Sequence, residues 1–190
     1  TSWCRGMATE RDDLLDLLHH HRDRRRFTVR GLSDDAARSR PSVNELSLGG
    51  LVKHVTAVER TWADFVLEGP ASQPDVDWAN VDWANVDWAN VDWADPPAEV
   101  LEYQQGFPML EHETLAGLLA AYDEGAARTD ELVRTVDLDA RQPLPAAPWF
   151  EPGATWSARR VFTHIVAETA QHAGHADILR ETIDGQKSMG

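Results

Sequence analysis

The stretch HIVAETAQHAGH, residues 164–175, places His164, Glu168, His172 and His175 at successive intervals of four, four and three. On a helix of about 3.6 residues per turn such intervals keep the four side chains near one face, with Glu168 and His172 about 5–6 Å apart at Cβ. A divalent cation binds imidazole nitrogen or carboxylate oxygen at about 2.0–2.2 Å, so that pair can grip one ion without bending the backbone. A stable site needs a third ligand from elsewhere. His54, in LGGLVKHVTAVER, keeps step with Leu51, Val55 and Val58 rather than with the charged residues. An imidazole on an apolar stripe requires a partner, because burying its nitrogens unpaired costs free energy. Taken alone, His54 reads as a satisfied core histidine; taken with Glu168 and His172, it reads as the third metal ligand.

These side chains need rigid elements to position them, and the sequence offers four helical stretches and no convincing strand alternation. The first runs from about Thr9 to Arg26 on a stripe of Leu14, Leu15, Leu17 and Leu18, with Thr9 as cap. The second, about Ser47 to Glu68, repeats Leu48, Leu51, Val55, Val58, Trp62, Phe65 and Val66 and stops at Gly69-Pro70. The third covers about Thr114 to Val136. The fourth opens at Ser157, whose hydroxyl can cap the first turn, with Trp156 before it as a staple, and ends near Ile183 ahead of Gly185. Two long loops and one of medium length join them, and the expected fold is all-α, a four-helix bundle.

The chain is read as one domain over residues 7–190, after a leader at 1–6 that holds the single cysteine, Cys4. With one cysteine, no intrachain disulfide and no zinc–thiolate cluster can form, and the simple reading is a cytoplasmic protein. Eighteen basic against 32 acidic residues give a net charge of −14. That disfavours a nucleic-acid surface, which needs a basic stripe, and an anionic membrane surface alike. No apolar run approaches the roughly 20 residues of a membrane-spanning helix. Residues 76–95 repeat VDWAN in tandem. Each five-residue unit rotates about 140° on a helix, so the repeat suits neither one helix face nor a strand. It is expected to form a surface loop packed on the bundle or a partner, or a lid over a ligand.

Other catalytic patterns are missing. The zincin motif HExxH is absent, the paired Glu-x-x-His of di-iron bundles is not present, and Ser/His/Asp chemistry lacks its nucleophile elbow.

The segment WSARRVFTHIVAETAQHAGHADILRETIDG, together with LGGLVKHV upstream, resembles the DinB-like superfamily of metal-binding four-helix bundles. It is most similar to the actinobacterial branch related to mycothiol-dependent maleylpyruvate isomerases and thiol S-transferases. The resemblance covers most of the chain from Met7 and is most specific in the last thirty or so residues. It implies a metal, zinc or nickel, held by a histidine on the second helix and two ligands four apart on the last; here these are His54, Glu168 and His172. Glutamate at the middle position matches the isomerases, where many other members carry histidine. The VDWAN expansion departs from the family pattern.

Two imidazoles and a carboxylate leave open positions, the pattern of catalytic zinc. A thiol entering one would lose its proton to the metal and become a nucleophile at neutral pH. Since the chain offers no core cysteine, the sulfur must arrive on a low-molecular-weight thiol such as mycothiol. The expected activity is metal-dependent thiol S-transfer to an electrophile, or thiol-dependent isomerisation, with His175 as an outer-sphere group or proton acceptor. His164 is expected to be structural. Arg159 and Arg160, on the first turn of the last helix, could hold an anionic substrate but more simply face solvent. Arg180 and Glu181 are expected to form a salt bridge, and His19, His20 and His21 cannot all face one ion. The alternative is a non-enzymatic metal-binding bundle of the stress-response kind, acting as a homodimer through its tryptophan-rich surface.

Overall fold

The computed structural model describes residues 8–43, 46–72, 108–147 and 150–188. The leader at 1–6 with Cys4, and the VDWAN repeat at 76–95, lie outside these residues. The four long helices form where the apolar periodicity places them: α1 Glu10–Val29, α3 Leu48–Glu68, α4 Leu115–Thr135 and α5 Ala158–Asp184. Their ends are set by local chemistry. Thr9 accepts from the Asp12 amide while the Asp12 carboxylate accepts from the Thr9 amide, a reciprocal capping box. Ser47, Thr114 and Ser157 each accept from the amide three residues on, satisfying one of the orphan donors of the first turn. Gly69 (φ 65°) and Gly185 (φ 78°) end α3 and α5 in backbone conformations that a Cβ would strain.

Three local features differ from the sequence reading. The connection after α1 contains a short helix, α2 Asp34–Arg38, capped by Ser33. Two three-residue strands, β1 Arg141–Pro143 and β2 Thr155–Ser157, pair antiparallel, whereas no strand was expected. They are too short for alternation to register, and their pairing is set by the loop that connects them. Trp156 lies in β2, where its ring stacks on Trp62 at 4.8 Å between centroids, with the Arg160 guanidinium over its ring at 4.6 Å. It clamps the α4–α5 loop to α3.

The long helices bury two apolar clusters at different heights. One gathers Leu14 and Leu18 of α1, Phe65 of α3, Leu132 of α4 and Phe162 and Ile165 of α5. The other gathers Val29 of α1, Leu51 and Val55 of α3, Tyr122 of α4 and Leu179 of α5. Between these levels the core positions turn polar: Arg22 and Arg25 on α1, Glu59 on α3, Thr129 on α4 and Thr169 on α5 are all buried. A bundle designed only for stability would fill these positions with leucine. The polar belt is therefore where function is to be sought.

Candidate functional site

His54 of α3 lies between Leu51 of one apolar cluster and the buried Glu59. Glu168 and His172, on α5, occupy the same level between Ile165 and Ala176. All three are half-buried. Their ligating atoms lie within 4.8 Å of one another. The rings of His54 and His172 meet edge to face with centroids 4.8 Å apart, and His172 Nε2 is 3.6 Å from Glu168 Oε2. Ligands of a tetrahedral ion with bonds of about 2.1 Å stand about 3.4 Å apart, so modest side-chain rotation closes this set on one cation.

Burial comes first in depressing both imidazoles. His54 is held below its ordinary value, Glu168 opposing the shift and Arg25 adding to it. His172 is pushed down to about 4, with the charges of His54 and Arg25 adding to burial and Glu168 opposing. Neutral rings at pH 7 keep a lone pair free for a metal. His172 Nδ1 is buried without a hydrogen-bond partner among the described residues.

The neighbouring histidines play separate parts. His175 sits one turn on, its ring 5.5 Å from that of His172 and its Nδ1 buried with no partner among the described residues. His164 stands edge-on to Trp62 and Trp156 and reaches Glu168 Oε1 at 3.8 Å. Burial lowers its pKa, with Glu168 opposing and Arg160 adding. It holds the aromatic clamp against the site.

The remaining sequence candidates are engaged elsewhere. Arg159 is bound by Glu10 and Asp139, tying the start of α5 to α1. Arg160 covers Trp156. Arg180 is buried, paired with Asp184 and donating to the carbonyls of Thr28 and Arg30, while Glu181 pairs with Lys187. His19 bonds Asp130 and His20 accepts from Arg24, so that run of histidines does not converge on an ion. A groove of about 620 Å³ runs between α1 and α4, lined by His19, Arg22, Arg26, Asp123 and Asp130 among others, away from the triad.

The sequence reading missed the buried polar residues that face this level from the other helices. Arg22 bonds Glu59 at 2.5 Å and Asp130 at 2.6 Å and is held above its ordinary pKa by those carboxylates despite burial. Arg25, 1% exposed, was also overlooked. A signal was present: Leu14, Leu18, Arg22 and Arg25 continue one stripe at intervals of four, four and three.

An all-α bundle with two histidines and a glutamate converging from its second and last long helices defines a DinB-like protein. More particularly, the chain belongs to the mycothiol S-transferase family, whose sequence pattern matches residues 13–185. A crystal structure of a conserved protein from Enterococcus faecalis superposes with a TM-score of 0.61 at 13% identity, covering 94% of this chain and 99% of that one. That similarity shows a common fold. A comparison with curated proteins gives no match.

Proposed function

We propose that His54, Glu168 and His172 hold one divalent cation, zinc or nickel, and that the protein transfers a low-molecular-weight thiol of the mycothiol type to an electrophile. The observation that carries this reading is the convergence of those three side chains from two helices far apart in sequence. The family membership supports the thiol. The donor set fits such an ion: two neutral imidazoles and one carboxylate leave a net positive site with room for an outside ligand. A cation bound there supplies Lewis acidity that lowers the thiol pKa toward neutrality.

The chain's own residues then do the following. His175 accepts the thiol proton at Nδ1, which has no hydrogen-bond partner among the described residues. The sulfur lone pair forms the S–C bond, and the electron pair of the breaking bond leaves with the displaced group. The stacked Trp62 and Trp156, with His164 between them and Glu168, wall the site. His54 and His172 stay neutral and hold their positions without protonating.

The test is metal analysis combined with thiol turnover. Protein purified without an affinity metal is expected to bind about one equivalent of Zn²⁺ or Ni²⁺ and to accelerate loss of mycothiol in the presence of an alkyl chloride probe. His54→Ala is expected to lose both. His175→Gln is expected to keep the metal and lose on the order of 100-fold in rate, the size of a general-base contribution. Full metal occupancy with no rate above that of the free thiol would replace this reading with that of a non-enzymatic metal-binding bundle.

A further inference from the structure

The two oxygens of the Glu168 carboxylate face different imidazoles. Oε2 lies 3.6 Å from His172 Nε2, and Oε1 lies 3.8 Å from His164 Nε2. The spacing 164, 168, 172 on α5 causes this, since it sets the glutamate between a histidine one turn before it and another one turn after. The two rings have different surroundings. His172 meets His54, the third of the converging side chains, edge to face at 4.8 Å. His164 meets Trp62 of α3 at 4.9 Å and Trp156 of β2 at 5.2 Å, with interplanar angles of 80° and 67°. Those two indoles stack on each other at 17°, and the Arg160 guanidinium covers Trp156. The ring of His164 is therefore fixed from α3 and β2 as well as from its own helix. Edge-to-face packing alone would suit a phenylalanine equally well. What the imidazole adds is a nitrogen turned toward a carboxylate oxygen.

We propose that His164 is a positioning residue for Glu168: gripped by Trp62 and Trp156, it holds Oε1 through its Nε2–H and leaves Oε2 to the cation. A small rotation of the carboxylate brings Oε1 within hydrogen-bond reach of that nitrogen. Glutamate has rotamer freedom near the top of the side-chain range, so a ligating carboxylate with nothing behind it must be ordered by the metal alone. A carboxylate that gives a metal one oxygen also leaves the other in need of a donor. In a half-buried site that oxygen loses hydration it does not otherwise recover. Partners of this kind orient metal ligands and raise metal affinity. Among the described residues, the ligating atoms that lie within 4.8 Å of one another come from His54, Glu168 and His172, and His164 is not one of the group. His164 therefore acts through Glu168 rather than on the cation. The inference rests on the proposed function only for the presence of a metal at these residues, and makes no use of the thiol or the electrophile.

The experiment needs no turnover. Full-length protein stripped of metal is titrated with Zn²⁺ against a chromophoric chelator, as wild type, His164→Phe, His164→Gln and His54→Ala. His164→Phe keeps a ring between the two tryptophans and removes the donor. It is expected to fold and to bind Zn²⁺ about 10- to 100-fold more weakly than the wild type, the usual loss when a ligand's orienting partner is removed. His164→Gln, which returns an N–H donor, is expected to recover part of that loss. With Co²⁺ in place of Zn²⁺, the visible absorption of His164→Phe is expected to change as the freed carboxylate adds its second oxygen to the ion, and His164→Gln is expected to move back toward the wild-type spectrum. In the metal-free wild type, the ring nitrogen resonances of His164 are expected to report the Nε2–H tautomer. Should His164→Phe fail to fold, that tautomer decides. Unchanged Zn²⁺ affinity and Co²⁺ spectrum in a folded His164→Phe, or an Nδ1–H tautomer in the wild type, overturns the proposal. A loss of affinity that His164→Gln leaves whole also overturns it, by making His164 a ligand in its own right. Zn²⁺ held as tightly by His54→Ala as by the wild type sinks the proposed function. Zn²⁺ lost by His54→Ala but held undiminished by His164→Phe sinks this inference alone.

Discussion

At the residue scale, the same side-chain type has different consequences three residues apart. Arg22 is bonded on both sides by carboxylates; removing it strands Glu59, 1% exposed, without its counter-charge. Arg22→Met is accordingly expected to cost about 3–5 kcal/mol in urea unfolding, whereas Arg25→Met, which removes a buried guanidinium with no hydrogen-bond partner among the described residues, is expected to leave the urea midpoint equal or higher. The three candidate ligands could be named before the fold, Glu168 and His172 from their spacing on one helix and His54 from its place on an apolar stripe. Arg22, Arg25 and Glu59 could not, because a charged residue ordinarily marks a solvated face and RDRRRF reads as one. Only packing shows which of its arginines point inward.

Among the elements, glycine positions separate close approach from idle space. A Cβ on Gly49 of α3 would meet Met109 Sδ at 2.3 Å and the Ala37 carbonyl of α2 at 3.2 Å. Gly49→Ala is therefore expected to destabilise by about 1–3 kcal/mol in thermal or urea unfolding, as overpacking does. Gly174, between His172 and His175 on α5, has nothing within 4 Å of that Cβ. Gly174→Ala is expected to stabilise by about 0.5–1 kcal/mol through helix propensity, leaving metal stoichiometry unchanged. Helix starts were readable from Thr9, Ser47, Thr114 and Ser157 because capping is a contact within four residues. The β1–β2 pair was not, since Arg141 and Ser157 become partners only once the loop folds back.

For the whole molecule, charge sets the response to pH. Burial opposes ionisation of Asp130, but hydrogen bonds from Arg22 and His19 outweigh it and hold this carboxyl below its ordinary value. Glu113 behaves alike under Lys53, which it meets at 2.9 Å, and the Leu110 amide. Folded values lower than the unfolded ones, about 3.9 and 4.3, mean stability that is complete above those values and lost as pH falls through the folded ones. The urea midpoint is expected to drop between about pH 5 and about pH 3, with a shallower fall in Asp130→Asn. With a net charge of −14, moderate salt at neutral pH is expected to raise the midpoint by screening self-repulsion. No helix among the described residues is long and apolar enough to cross a membrane.

The sequence by itself determined the four long helices, their caps and the two-ligand face of α5, because periodicity, capping and i, i+4 geometry act within a few turns of chain. Bringing His54 to Glu168 and His172, and burying Arg25 and the Tyr122 hydroxyl with no hydrogen-bond partner among the described residues, was decided by tertiary structure alone. Those distances join residues separated by more of the chain than any local rule spans, and they follow from how α1, α3, α4 and α5 bury their apolar faces above and below a polar belt.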